Sequence, residues 1–180
     1  MLEFGWAETQ EEKDACYRLR YLTYTVEYGD DRHAEHETQR FIDPVDSTDC
    51  FLAFARLDGE IVGTNRLVVR RLTPFAEPDE IYHFSSLSEK LEVSTQELVN
   101  ALGASERTAI HPQNRGTGLF LQLQEMIYER ARAEDCQWLV GLVKYGNERG
   151  RKAVEKQGWE QYGFSQTSGP YDFLNIYRPL

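Results

Sequence analysis

The stretch Ser105–Phe120, SERTAIHPQNRGTGLF, decides how the chain is read. Ser105 to Ile110 reads as a strand. His111-Pro112 ends it, because proline has no N–H to give to a ladder. Gln113-Asn114-Arg115-Gly116-Thr117-Gly118 follows as a glycine-bearing turn, and then a helix with Leu119, Leu123, Met126, Ile127 and Ala131 on one side. Gly116 and Gly118 let the backbone take conformations other residues avoid. The helix start beyond them offers unpaired N–H groups and a partial positive charge, and Arg115 adds a full one. Strand, turn and helix together form a cradle for an anion such as a diphosphate. No Gly-Lys-Ser/Thr follows, so this is not a nucleoside-triphosphate loop. The third glycine and acidic ribose partner of a dinucleotide fingerprint are also missing. A G-x-G before a helix is by itself a weak signal, shared with plain helix starts.

Working outward, Leu2, Phe4 and Trp6 alternate as a short strand. Thr9 to Glu12 is a capping box for a helix spanning about 10–28. The polar run 29–39 reads as a mobile loop or lid. Its His33 and His36 lack a supporting cluster, so they read as solvated histidines and no metal site is expected. Residues 51–57 and 60–72 are strands joined by Asp58-Gly59, a two-residue hairpin signal. Gly63 marks a bulge or a close approach within the second strand. A polar connection with two short helices comes next; the second opens at the Ser94–Glu97 capping box and stops at Gly103. Residues 138–143 form an apolar central strand, 147–156 a short helix, and 159–164 and 173–178 two last strands. The order is α+β around one mixed sheet.

Composition fits this reading. With 180 residues, 41% of them apolar, the chain is expected to be one domain over 1–180 with a substantial core. Thirty acidic against twenty basic residues give 20 − 30 = −10, which argues against nucleic-acid binding but not against a small anion held by local charge. No apolar run approaches the length of a membrane span. The N-terminus has no secretory character, and the three scattered cysteines, Cys16, Cys50 and Cys136, form no metal or disulfide pattern. A cytoplasmic protein is expected.

Gln113-x-x-Gly116-x-Gly118 after Ile110-His111-Pro112 resembles the acyl-CoA-binding motif of the GNAT acyltransferase superfamily, and 147–159 (NERGRKAVEKQGW) resembles its second motif. The resemblance implies a three-layer fold: a central mixed, mostly antiparallel sheet, split at the fourth and fifth strands and flanked by helices. It further implies that Ile110, Gln113, Asn114, Arg115, Gly116, Thr117 and Gly118, with Asn147, hold the pyrophosphate and pantetheine of the donor. The thioester would lie in the split between strands 105–110 and 138–143. The N-terminal half narrows the branch. Tyr17 to Tyr21 with Tyr24, Asp43-Pro44-Val45-Asp46, Gly63 to Leu67, and Arg107 resemble the LRxxxF, D-x-x-D, G-x-x-R-L and fourth-strand arginine of autoinducer (acyl-homoserine-lactone) synthases and N-acyl amino acid synthases. The glutamate that autoinducer synthases carry three residues before that arginine is Ala104 here, and Glu106 adjoins Arg107 instead. Their tryptophan after the first helix has no counterpart at 28–31. Both departures favour the N-acyl amino acid synthase-like branch.

The implied reaction is N-acyl transfer from acyl-CoA or acyl-phosphopantetheine on acyl-carrier protein to a small primary amine, in a monomer or homodimer with no permanently bound cofactor. Glu106 is the candidate base and Arg107 its catalytic neighbour, although strand alternation predicts that they face opposite sides. Arg20, Asp43, Asp46 and Arg66 read either as a structural ion-pair network or as substrate contacts. Many superfamily members carry a tyrosine acid seven residues after the second-motif asparagine. That position is Val154 here, leaving Tyr145, Tyr162 or water for the role. An ordinary acetyl-CoA-dependent N-acetyltransferase and a catalytically silent thioester-binding module remain the competing readings.

Overall fold

The computed structural model describes residues 1–72, 81–166 and 171–180. Its fold is α+β, with a seven-stranded, mostly antiparallel sheet flanked by helices. By contact density the chain divides into two compact units, one of residues 1–68 with 105–130 and one of 69–104 with 131–180.

In the first unit, strand β1 (Leu2–Trp6) pairs antiparallel with β4 (Cys50–Leu57), and β4 pairs antiparallel with β5 (Glu60–Val69). The later part of β6 (Leu102–Ile110) lies next to β5. The hairpin between β4 and β5 turns on Asp58 and Gly59 at φ +51° and +93°. Positive φ at both central residues is what a tight hairpin matching strand twist requires. Both readings of Gly63 hold. The register shifts between Ala55 and Arg56, so Val62 is the extra bulge residue. A Cβ on Gly63 would also stand 3.0 Å from Leu123 and 3.2 Å from Ile110.

Helix α1 (Gln10–Arg20) begins at the Thr9 capping box, with both reciprocal hydrogen bonds formed. The expected helix to residue 28 changes character at its middle, where Tyr21–Glu27 winds as a π-helix. The run Tyr-Leu-Thr-Tyr-Thr-Val is rich in β-branched and aromatic residues, which favour the α-helix less. Within the polar run, Ala34–Glu35 (β2) and Arg40–Phe41 (β3) form a small antiparallel ladder rather than a plain loop. Helix α4 (Leu119–Ala133) follows the glycine turn and buries Leu119, Leu123 and Ile127.

The second unit holds α2 (Phe84–Leu91), α3 (Thr95–Asn100), β7 (Trp138–Lys144), α5 (Glu148–Glu155), β8 (Glu160–Ser165) and β9 (Phe173–Pro179). The Ser94 capping box opens α3 as read from sequence, but the chain turns back into strand by Leu102 instead of continuing helical to Gly103. Strand β9 lies between β7 and β8 and pairs antiparallel with each. Asn175 ties this hairpin to the start of α2's approach, donating to the carbonyl of Ile81 at 2.6 Å and accepting from Ser165 at 2.8 Å. Residues 73–80 of the polar connection lie outside the described residues. Among the described residues no helix is long and apolar enough to cross a membrane.

Because Gly63 has ordinary φ and no room for a side chain, Gly63→Val is expected to lower stability by about 1–3 kcal/mol through overpacking against Leu123 and Ile110. A urea melt unchanged from wild type would contradict this packing.

Candidate active site

Asp43-Pro44-Val45-Asp46 folds as a short 3-10 helix (Pro44–Ser47) with its own capping box. Asp43 Oδ1 accepts from the Val45 amide at 3.1 Å, and Asp46 Oδ2 accepts from the Asp43 amide at 3.0 Å. This arrangement fixes both carboxylates and leaves an oxygen of each for arginine. Arg66 on β5 reaches Asp43 through Nη1 at 2.6 Å and Nη2 at 3.1 Å, and Asp46 at 2.9 Å. Arg20, at the end of α1, donates to Asp46 at 2.8 Å. Arg107 Nε donates to Asp43 Oδ2 at 2.7 Å, and Arg66 Nη2 to Glu106 at 2.5 Å. Three guanidinium groups thus face three carboxylates, and the charges balance.

Glu106 and Arg107 serve this one network although they are sequence neighbours. Strict alternation would have put them on opposite faces of β6. Arg107 sits at φ +53°, in the left-handed region, and the strand turns there so that both side chains reach the cluster. Non-glycine residues held in that region concentrate at functional sites.

Burial divides the cluster. Side-chain exposure is 0% for Arg20 and Asp46, 2% for Arg66 and 4% for Asp43, against 11% for Glu106 and 23% for Arg107. The first four are therefore sealed inside this arrangement, and only Glu106 and Arg107 expose part of the network to solvent. The Arg107 guanidinium lies 5.7 Å from the ring centre of Tyr24 and 5.1 Å from that of Phe41. Tyr24 is itself anchored by its hydroxyl, which donates to the carbonyl of Thr108 at 2.9 Å. Burial acts to raise the Asp43 pKa, but Arg66 and then Arg107 outweigh it and hold the carboxyl below the usual range. Burial likewise opposes the charge of Arg66, and Glu106, Asp46 and Asp43 overcome it and raise its pKa.

A second polar group was not singled out from sequence. Asn65, Ser105 and Gln124 are all buried; Asn65 donates to Ser105 at 3.2 Å and Gln124 donates to Ser105 at 3.3 Å. Thr108 donates to Asn65 at 3.1 Å. The available signal was Asn65 between Thr64 and Arg66 on β5 and Gln124 on the buried side of α4.

The glycine turn takes the expected form. Pro112–Asn114 is a 3-10 turn, and Gly116 and Gly118 sit at φ +87° and +90°. Thr117 Oγ1 donates to the Asn114 carbonyl at 2.7 Å, tightening the bend. The space where a Gly118 side chain would start is open, so backbone conformation alone requires glycine there. Among the described residues, no backbone carbonyl receives the amides of residues 116–120 as loop, turn or cap bonds. Arg115 Nε donates to the Ile110 carbonyl at 3.1 Å, and its Nη2 pairs with Glu27. Gln113 is exposed and Asn114 half-buried beside it.

In the second unit, Asn147 is the N-cap of α5, its Oδ1 accepting from the Gly150 amide at 2.9 Å. Val154 is buried in that unit's core. Of the two tyrosines considered as acids, Tyr162 donates its hydroxyl to the Tyr82 carbonyl, whereas Tyr145 is 63% exposed and packs edge-on to Phe164. In the first unit, His36 shares a 3.0 Å hydrogen bond with Tyr21, and the His33 ring stands edge-on to Phe41. Among the described residues no group of three or more His, Cys, Asp or Glu side chains is placed to hold a metal.

A family model described as N-acyl amino acid synthase FeeM matches residues 15–147, well over half of the chain. No curated protein sequence matches the chain. In fold, the chain is similar to the AHL synthase LasI, with 16% identity over 99% of this chain and 89% of LasI and a TM-score of 0.71. It is also similar to the ribosomal-protein-alanine N-acetyltransferase of Brucella melitensis, with 17% identity, 98% and 99% coverage and a TM-score of 0.62. YncA of Salmonella typhimurium, solved with its cofactor acetyl-CoA, matches at 12% identity, 100% and 94% coverage and a TM-score of 0.63.

Arg66→Ala removes the cation that Asp43, Asp46 and Glu106 share, and is expected to cost about 3–5 kcal/mol in a urea titration. Full retention of stability would contradict a structural network. The lowered Asp43 pKa stabilises the fold wherever the unfolded carboxyl is also charged, and that stabilisation is lost as pH falls below about 4. Thermal melts from pH 7 to pH 3 are expected to show a shallower acid decline in Asp43→Asn than in wild type. Equal slopes would exclude Asp43 as a source of the acid sensitivity.

Proposed function

We propose, from the premise that the chain belongs to the FeeM N-acyl amino acid synthase family, that it joins the acyl group of a phosphopantetheine thioester to the amino group of an amino acid or related small amine. The chain is an N-acyltransferase by family, and the thioester donor and small-amine acceptor are what we propose. The observation that carries the donor assignment is the run of amides at 116–120, whose positive-φ glycines sit beside Arg115. Backbone N–H groups at a helix start suit either the diphosphate of CoA or the single phosphodiester of a carrier-bound phosphopantetheine arm. Ile110, Gln113 and Asn114 border that turn and would guide the arm.

The reaction is aminolysis. The neutral amine attacks the thioester carbonyl, a C–N bond forms, the C–S bond breaks, and the thiol departs as the amine loses a proton. Glu106 is the base in this reading. It belongs to the accessible end of the network, and the bond from Arg66 fixes its carboxylate in one orientation. Arg107 beside it offers a cation, held by Asp43 and two aromatic rings, to the acceptor's carboxylate. Backbone N–H groups stabilise the oxyanion as it forms.

The test is mass spectrometry of reactions pairing the purified protein with an amino-acid mixture and, separately, long-chain acyl-carrier protein, long-chain acyl-CoA and acetyl-CoA. An N-acyl amino acid from at least one long-chain donor is expected. Acetylated product alone would put the ordinary acetyl-CoA-dependent N-acetyltransferase reading in its place, and no amide from any donor would overturn the acyl-transfer reading. Glu106→Gln is expected to lower turnover at saturating donor and amine by on the order of 10²-fold. Wild-type turnover in that variant would remove Glu106 from the base role.

A further inference from the structure

Arg115, the full charge of the glycine turn, is not presented alone. Its Nη2 pairs with the carboxylate of Glu27, the last residue of the π-helical segment, across 88 positions of sequence. Its Nε is tied to the carbonyl of Ile110 at 3.1 Å. The Nε N–H is therefore fixed to the end of β6, while Nη2 is held by an acidic side chain at the rim of the anion cradle.

We infer that Glu27 is a positioning residue that sets donor affinity through Arg115: its carboxylate and the donor's diphosphate compete for the same guanidinium. The inference rests on the reading of residues 113–118 as the diphosphate cradle. Glu27 is not on a loose loop. Its segment is pinned by Tyr24, whose hydroxyl donates to the Thr108 carbonyl at 2.9 Å. It is closed by the Gly29 amide donating to the Thr25 carbonyl at 3.0 Å and the Thr25 hydroxyl donating to the Asp30 carbonyl at 2.9 Å. A negative charge is thereby kept beside a site that attracts negative charge, and it lowers anion affinity there. The pair is also open enough to exchange. The side chains are 35% and 25% exposed, for Arg115 and Glu27 respectively, and ion pairs of that exposure hold weakly. An arriving diphosphate takes over Arg115 and frees Glu27. Donor binding is thus moderated so that a product thiol carrying the same diphosphate can leave.

The experiment is calorimetric titration of CoA into the full chain, for wild type, Glu27→Gln, Glu27→Asp, Arg115→Ala and the Glu27→Gln/Arg115→Ala double variant, with thermal melts confirming that each is folded. Glu27→Gln is expected to tighten CoA binding roughly two- to fivefold, the scale of a half-exposed ion pair. Glu27→Asp, which keeps the charge, is expected to stay closer to wild type than Glu27→Gln does. The gain from Glu27→Gln shrinks when Arg115 is already absent. In steady-state kinetics the change falls on the donor KM rather than on kcat. CoA binding to wild type with equal or weaker binding to Glu27→Gln would overturn the role of Glu27 alone. A wild-type protein that binds no CoA would overturn the diphosphate reading of the turn on which this rests.

Discussion

The Asp43 carboxylate is the point on which the first unit depends. It caps its own 3-10 turn, takes both terminal nitrogens of Arg66 and accepts from Arg107. Two strands and one turn thereby meet at a single buried anion. Burying such a charge is costly unless every lone pair is used and the neighbouring cations are themselves neutralised. That demand accounts for the rest of the cluster: Asp46 and Glu106 balance Arg66, and Arg20 balances Asp46. It also accounts for the left-handed turn at Arg107, without which β6 would direct only one of its two adjacent charges into the cluster.

The same cluster grades from sealed to open. At the Arg20–Asp46 end it is inaccessible and acts as a rivet. At the Glu106–Arg107 end it meets solvent and keeps two opposite charges at fixed positions. A small zwitterion has complementary groups, which is the acceptor chemistry of an N-acyl amino acid synthase. Nearby in the chain, the glycine turn has main-chain amides at 116–120 that no loop, turn or cap carbonyl receives among the described residues, the feature on which the proposed donor site rests. In a protein with a net charge of −10, Arg107 and Arg115 are thus each kept beside a carboxylate, at the positions that the proposed function assigns to the acceptor and the donor.

How legible this was follows from the range of each interaction. The Thr9 and Ser94 capping boxes, the Asp58-Gly59 hairpin and the Gly116/Gly118 turn are settled within four or five residues, and sequence shows them directly. The D-x-x-D motif and the arginines were visible as a set through family resemblance. Residue types alone left open whether they pair with one another or contact substrate, because that depends on burial. The left-handed Arg107 had no local signature, and the π-helix at 21–27 and the buried Asn65–Ser105–Gln124 group had only faint ones, in a β-branched and aromatic run and in polar residues at buried positions. Each is imposed by distant partners: Asp43 on Arg107, Thr108 on Tyr24, and α4 on Ser105. The Glu27–Arg115 pair likewise joins residues that no periodicity connects.

The proposed function requires that the main-chain amides at 116–120 bind the diphosphate of CoA. Amide-resolved NMR titration of the full chain with CoA, and in parallel with pantetheine, which lacks the diphosphate, tests it most directly. Large, saturable shifts are expected at Gly116, Thr117, Gly118 and Leu119 with CoA, and far smaller ones with pantetheine. Unperturbed amides in that turn at saturating CoA, or equal shifts from both compounds, would contradict it.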